Sequence, residues 1–233
     1  MSLPKIDLPL FELTIPSSGK KVKYRPFTVK EEKILLIAQE AGDLDQIILA
    51  IKQIIDNCVQ DIKVNDIPMF DLEYIIIHIR AKSINNELEF SVIDNETQEN
   101  IKLQLDLNQI TLKTDPKHNK KIAIGDDYTL IMKYPSIDKL KELENPDSND
   151  VIFDMMLGCM DLLVRNDGDK IYKFTEFSKE EIREFVDNLN PKTISDIGVF
   201  FETVPVLRID IPYVNNLGNN KVFVLEGLNS FFL

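Results

Sequence analysis

The sequence is poor in the residues from which metal and redox sites are built. Its 233 residues include no tryptophan, two cysteines and two histidines. Cys58, Cys159, His78 and His118 are too few and too scattered to form a zinc site with ordinary ligand spacing. Both cysteines fall on apolar faces of predicted helices, so we expect buried thiols in a reducing cytosol and no disulfide. We expect His78 on a helix surface or satisfied in the interior, and His118 in solvent.

Features that bind phosphate groups are also lacking. The eight glycines are scattered, and neither GxGxxG nor GxxxxGK[ST] occurs, which excludes the usual phosphate-binding loops. Lysine and arginine number 27 against 39 aspartates and glutamates, a formal net charge of −12. Because nucleic acids and anionic membranes attract clustered cations, this balance argues against both as partners. It fits a soluble protein or one with basic partners.

Long apolar runs are missing as well. Runs such as Tyr74 to Ile79 are far shorter than the roughly 20 residues that span a bilayer. The segment MSLPKIDLPLF at the start lacks the charged beginning and continuous apolar core of a signal peptide. We therefore expect neither a membrane-spanning segment nor a signal peptide.

Carboxylates are plentiful, but their spacing does not indicate a catalytic or metal site. Asp167-Gly-Asp169 is similar to the start of a calcium loop, yet Ser178 stands at the twelfth position, where an EF-hand needs glutamate. Adjacent acids such as Glu180 and Glu181 favour the helix dipole and are usually solvated. We expect no catalytic residue, metal or cofactor, and no enzyme. A carboxylate- and metal-dependent enzyme and an acidic regulator that mimics DNA are distant alternatives.

Capping residues and apolar periodicity predict several helices. Thr28-Val-Lys-Glu31 and Ser178-Lys-Glu-Glu181 have the pattern of capping boxes. Apolar residues at three- and four-residue spacings predict a helix after Asp43. The same spacing predicts a long amphipathic helix whose apolar face is formed by Ile152, Met155, Met156, Cys159, Leu162 and Leu163. The apolar run at 75–79 could form a strand, because β-branched residues favour sheets. Asp71, Leu72 and Glu73 lead into this run and favour a helix over about 69–82.

Alternating apolar and polar residues predict several β-hairpins. One hairpin has strands at 88–92 and 101–107, joined by an acidic turn at 94–100. The last hairpin begins with the alternation of Leu207, Ile209 and Ile211, continues through an asparagine-rich turn, and resumes at Val222 and Val224. The predicted fold class is α+β, with helical bundle elements and several β-hairpins. An ancient duplication would give two similar halves.

The charged connector at 113–121 is the best candidate for a domain boundary. Residues 1–112 would then form an N-terminal helical half that ends in a β-hairpin. Residues 113–233 would form a C-terminal helical half that ends in a β-hairpin and an apolar tail. One continuous domain is the alternative.

Motifs at both ends of the chain resemble a known family. The C-terminal markers, in order, are Ile182, Phe185, Phe200, Phe201, Pro205, Gly227, Leu228, Phe231 and Phe232. Near the start, the segment YRPFTVKEEKILLIA runs from Tyr24 to Ala38. In this order and spacing, the motifs resemble the T4-type bacteriophage baseplate hub and baseplate hub assembly protein family.

The resemblance implies a non-catalytic protein of phage tail assembly. It would act as a scaffold or chaperone through contacts with baseplate hub proteins, in the host cytoplasm during assembly. A permanent structural subunit of the hub, located in the tail baseplate of the virion, is the alternative. Relatives would carry zinc-binding cysteine pairs in the two hairpins, whereas this chain has no cysteine at 94–100 or 215–220. Loss of such ligands would favour scaffolding over catalysis.

We expect the partner-binding surface at the end of the chain. Phe231, Phe232 and Leu233 are large apolar residues that are costly to leave in water. Tyr213 and Phe223 lie in the hairpin that precedes them and complete the predicted surface. The alternative is that these residues cap the core of their own domain.

Overall fold

The structure, a computed structural model, describes residues 7–141 and 149–227. These residues form seven α-helices and eleven β-strands, which confirms the α+β fold class. The helices are α1 (Val29–Ala41), α2 (Leu44–Cys58), α3 (Met69–Ser83), α4 (Ile137–Lys141), α5 (Asn149–Gly158), α6 (Lys179–Asp187) and α7 (Pro191–Glu202). The strands are β1 (Phe11–Thr14), β2 (Lys21–Tyr24), β3 (Glu87–Ile93), β4 (Asn100–Asp106), β5 (Leu112–Lys113), β6 (Lys121–Ile124), β7 (Tyr128–Met132), β8 (Met160–Arg165), β9 (Ile171–Lys173), β10 (Val206–Val214) and β11 (Asn220–Glu226).

The chain divides into two compact units. The first comprises Met1–Val64, Met69–Lys113 and Val206–Leu233, and the second comprises Asn65–Pro68 and Thr114–Pro205. The C-terminal hairpin, which the sequence groups with the second half, therefore belongs to the first unit. Within that unit β10 pairs with β5, so the chain leaves and re-enters the unit along neighbouring strands. A duplication of the two halves stays a prediction.

Helix α3 forms the centre of the first unit. Its buried apolar residues point in all directions around the helix axis, as in a helix enclosed by its own domain. They are Phe70, Leu72, Ile75, Ile76, Ile77, Ile79 and Ala81. The β1–β2 turn attaches to this helix because the buried Asp71 accepts a hydrogen bond of 3.0 Å from the backbone N–H of Ser17. His78, predicted on a helix surface or satisfied inside, is half-buried, and its Nδ1 lies 2.8 Å from the carbonyl oxygen of Tyr74.

The predicted helix starts are confirmed. Both capping boxes form, with Thr28 and Glu31 at the start of α1 and with Ser178 and Glu181 at the start of α6. Asp43 caps α2 by accepting from the N–H of Asp45 at 3.0 Å. No described helix combines the length and apolar character that crossing a bilayer would require.

The second unit contains an antiparallel sheet in the order β6-β7-β8-β9. Part of this sheet is formed by residues for which the sequence predicted a long helix over 152–163, and that prediction is wrong. Helix α5 ends at Gly158, and Leu162 and Leu163 lie in strand β8. Glycine is a poor helix former, and a strand between two neighbours gains ladder hydrogen bonds on both sides. Leu163 pairs with Leu130 in β7 and with Tyr172 in β9.

Both cysteines are buried free thiols, as predicted. Cys58 ends α2, but Cys159 follows α5 and is not on a helix face. Burial raises the pKa of each thiol to about 11. Each thiol therefore stays protonated at neutral pH and unreactive.

His118 is half-buried and held by two side chains, whereas the sequence predicted a solvated ring. Its Nδ1 lies 3.0 Å from Thr203 Oγ1, and its Nε2 lies 2.8 Å from the Tyr134 hydroxyl. The ring also stacks on Phe200 and Tyr134. Burial lowers the pKa of His118, and the positive charge of Lys120 lowers it further. The connector that carries it thus attaches to the aromatic core of the second unit.

Candidate protein-interaction surface

The terminal hairpin, β10–β11, is shaped by its turn. Asn215 accepts on its side-chain oxygen from the backbone N–H groups of Leu217 at 3.1 Å and of Asn219 at 2.9 Å. Gly218 adopts φ +81°, a left-handed conformation that glycine enters without strain. The asparagine-rich turn predicted from the sequence therefore forms, and the side chain of Asn215 holds it.

The inner face of the terminal hairpin rests on the β3–β4 hairpin. The Tyr213 hydroxyl donates to Asp94 Oδ2 at 2.7 Å, and the Phe223 ring lies 5.7 Å from that of Phe90, centroid to centroid. Tyr213 and Phe223, both predicted to bind a partner, are thus engaged within their own unit. Their role toward a partner stays a prediction. The other predicted residues, Phe231, Phe232 and Leu233, lie outside the described residues.

The acidic turn of β3–β4 holds the two hairpins together. Asp94 is buried and accepts from the Tyr213 hydroxyl and from the N–H of Thr97 at 2.8 Å. These hydrogen bonds hold the pKa of Asp94 well below its usual range. Glu96 pairs with Lys221 at 2.8 Å and accepts from Asn219 at 3.0 Å, which lowers the pKa of Glu96. Both carboxylates are therefore charged at neutral pH and join the hairpin tips.

Replacing Asp94 with alanine is expected to loosen the terminal hairpin without unfolding the chain. The Tyr213 hydroxyl and the N–H of Thr97 would lose their acceptor. We expect the amides of 213–221 to exchange with deuterium about tenfold faster, measured by mass spectrometry. Glu99→Ala, in the same turn but exposed, is the control and should leave exchange unchanged. Equal exchange in both variants would show that Asp94 does not hold the hairpin.

The outer face of the terminal hairpin is apolar near its tip. Four large aliphatic side chains are exposed there: Val214 (58%), Leu217 (66%), Val222 (58%) and Val224 (39%). Pro212 pairs with Val222 across the ladder and continues the apolar surface. We call Pro212, Val214, Leu217, Val222 and Val224 the tip patch.

The sequence did not identify the tip patch because β11 is apolar on both faces. Val222 and Val224 form one apolar face of β11, and Phe223 and Leu225 form the other. The sequence does not indicate which of the two faces is buried. The structure buries Leu225 and half-buries Phe223, which leaves the two valines outside. A strand that is apolar on both faces is the signal that could have found the patch.

Away from the tip, the outer face of the sheet is ionic. Arg208 pairs with Asp210 at 3.0 Å and with Glu226 at 3.2 Å, and Lys113 also pairs with Asp210. These side chains are well exposed, so the pairs contribute little to stability. These charged side chains limit the apolar surface to the tip of the hairpin. Strand β11 forms an edge of the three-stranded sheet.

The calcium-like segment at 167–169 is a turn. Asp167 accepts from the N–H of Asp169 at 3.1 Å and pairs with Arg165 at 2.9 Å. Across residues 7–141 and 149–227, histidine, cysteine and carboxylate side chains are not grouped in threes that could hold a metal ion.

Comparison with known proteins identifies the family. A family model described as T4 bacteriophage base plate protein matches residues 8–233, nearly the whole chain. Searches of curated proteins and of solved structures give no significant match. The chain belongs to the T4 bacteriophage base plate protein family.

Proposed function

We propose that this protein assists assembly of the baseplate hub in the host cytoplasm, without catalysis, by contacting hub proteins through the tip patch. The observation that carries this proposal is an exposed apolar surface on the outer face of a hairpin whose inner face packs on the β3–β4 hairpin. Asp94 and Glu96 fix the hairpin through Tyr213 and Lys221. A surface that is already ordered loses less conformational entropy on binding.

The apolar area that the tip patch exposes suits a protein contact. Full burial of one valine or leucine side chain is worth about 1.5–3 kcal/mol, and the patch exposes four of them. Membership of the base plate protein family supports other baseplate proteins as the partners of this surface. The net charge of −12 keeps the chain soluble until such a contact forms.

Introducing negative charge into the tip patch tests the contact. The double variant Leu217→Asp and Val222→Asp should fold normally, because both side chains are exposed. Affinity-tagged in infected cells, it should recover at least about tenfold less of the hub proteins than the unchanged chain. Val29→Asp, at an exposed position of α1, is the matched control and should recover the usual amount. Undiminished recovery by the double variant would contradict the proposal.

A permanent structural subunit is the second candidate, because the family description is that of a base plate protein. Quantitative mass spectrometry of purified virions separates the two functions. An assembly factor is expected in infected cells and not in virions. Stoichiometric presence in virions would instead establish a structural subunit.

A further inference from the structure

Strand β11 is hydrogen-bonded to another strand along one side. It lies at the edge of the β11-β10-β5 sheet, and within residues 7–141 and 149–227 no strand pairs with its other side. Its register with β10 runs without a bulge over seven residue pairs, from Arg208 and Glu226 to Val214 and Asn220. The strand contains neither proline nor glycine. It therefore lacks the bulges and prolines that commonly keep edge strands from pairing with other chains.

The open edge of β11 presents the backbone groups of alternate residues. The N–H of Asn215 donates to the carbonyl oxygen of Asn219 at 3.1 Å and closes the hairpin. Hydrogen-bonded and non-hydrogen-bonded pairs alternate in an antiparallel ladder, so the odd-numbered residues of β11 bond to β10. Pro212, which has no N–H, accordingly falls in a non-hydrogen-bonded pair with Val222. The residues whose N–H and C=O groups face the open edge are Asn220, Val222, Val224 and Glu226.

The opposite edge of the same hairpin is protected. Strand β5 pairs with β10 at Val206 and Leu207. Farther along β10, Pro212 lies in the position that would direct an N–H toward this edge, and it has none to donate. Since β11 contains no such residue, the edge of the terminal hairpin that remains able to pair is that of β11.

The outer face of β11 is complementary to itself. A second copy running antiparallel and centred on Phe223 would bring the outward-facing residues of the two strands opposite one another, as a ladder requires. Val222 would then lie opposite Val224 of the second copy, and Asn220 opposite Glu226 of the second copy. The first pairing joins exposed β-branched side chains, and the second joins an amide donor to a carboxylate acceptor.

The inner face of β11 fits the same register. Phe223 is half-buried, with its ring 5.7 Å from that of Phe90. Centring the pairing on Phe223 places the two copies of this residue in a non-hydrogen-bonded pair, where side chains lie closest and aromatic pairs are favourable. Lys221, which pairs with Glu96, would lie opposite Leu225 of the second copy. Like charges are therefore not placed opposite one another on this face.

We propose that β11 pairs with β11 of a second copy of this chain, antiparallel and centred on Phe223. The pairing joins two three-stranded sheets into one sheet of six strands. The valines of both tip patches still face outward, so the two patches become one surface. A single ladder makes a small interface, and we expect a weak, reversible dimer. This inference goes beyond the proposed function and does not depend on it.

Sedimentation equilibrium of the purified full chain measures the dimer. We expect a reversible monomer–dimer equilibrium at concentrations up to about 100 μM. The dimer fraction should rise with salt concentration, because two chains of net charge −12 repel each other and salt screens that repulsion. A chain that stays monomeric over this range, or a dimer that salt dissociates, would overturn the proposal.

A proline at the open edge tests the role of the backbone. Val224→Pro removes an outward-facing N–H and leaves the hydrogen bonds to β10 in place. We expect it to raise the dissociation constant of the dimer at least about tenfold. Val224→Thr keeps both the N–H and the β-branched shape, so this matched control should change the constant less than about threefold. Circular dichroism verifies that both variants are folded. Equal constants for the two variants would contradict the proposal.

Cysteine cross-linking tests the register without a proline. Under mild oxidation, a mixture of Val222→Cys and Val224→Cys chains should form disulfide-linked dimers, because directly opposite Cα atoms about 5.5 Å apart are within disulfide range. Val222→Cys alone should cross-link about tenfold less, since its two copies would lie two residues out of register. The native Cys58 and Cys159 are buried and should not react. Equal cross-linking with and without the Val224→Cys chain would overturn the proposed register.

Two further outcomes would assign the open edge to another occupant. If the chain dimerises only after deletion of residues 228–233, its own terminal segment covers β11 and the proposal fails. If the chain is monomeric and Val224→Pro lowers recovery of hub proteins from infected cells, a hub protein occupies the edge and the proposal fails. Sedimentation uses the purified chain alone, so absence of the dimer would leave the proposed function standing.

Discussion

Replacing Phe200 with alanine is expected to lower the free energy of unfolding of the second unit by about 3–5 kcal/mol. Phe200 is 1% exposed, and its ring lies 5.4 Å from that of His118, 5.6 Å from Tyr134 and 5.1 Å from Phe201. Truncation would remove all three ring contacts and leave a cavity. The neighbouring rings cannot close it easily, because His118 is held at both nitrogens.

Urea unfolding followed by circular dichroism measures this loss. Ile194→Ala is the matched control, because Ile194 lies on the same helix, α7, but is exposed. The control should cost less than about 1 kcal/mol. A similarly small loss for Phe200→Ala would mean that the aromatic cluster does not hold the second unit together.

Replacing Glu31 with glutamine is expected to cost about 2 kcal/mol of stability at neutral pH. Glu31 is 3% exposed and accepts from Arg25 Nη2 at 3.0 Å and from the N–H of Thr28 at 2.8 Å. Burial alone would raise the pKa of Glu31, but the hydrogen bonds from Arg25 and Thr28 lower it from 4.5 to about 2. Arg25 is partly exposed, so water screens the pair and limits the cost.

The same substitution should change how stability depends on pH. Because the pKa of Glu31 is lower in the folded than in the unfolded chain, its contribution is present above pH 4.5 and is lost as the pH falls toward 2. Urea unfolding between pH 7 and pH 3 should show a steeper acid loss for the unchanged chain than for Glu31→Gln. Glu40→Gln, at an exposed position of α1, removes the same charge and should keep the original slope. Parallel curves for all three proteins would contradict the assignment.

Elements set by short-range chemistry could be predicted from the sequence. The Thr28–Glu31 and Ser178–Glu181 capping boxes and the asparagine-rich turn depend on hydrogen bonds within a few residues. Strand β8 could not be predicted, because its partners in β7 and β9 provide hydrogen bonds that periodicity does not reveal. His118 was misplaced for the same reason, since Thr203 and Tyr134 are distant in the sequence.

The terminal hairpin was predicted from the sequence, but the tip patch on its outer face was not. Which face of β11 turns inward is decided by the β3–β4 hairpin, through Phe90 and Asp94. Because both faces of β11 carry large apolar residues, the alternation alone does not indicate whether Phe223 or Val222 faces the interior.

The bond between Tyr213 and Asp94 joins residues 119 positions apart, and this separation affects the order of events on the ribosome. At about 5–20 residues per second, the acidic turn waits on the order of ten seconds after its synthesis before its partner exists. During that interval all residues of 114–205 are made, so the second unit can fold first. The tip patch is therefore completed late, which shortens the time in which a nascent chain could engage the wrong protein.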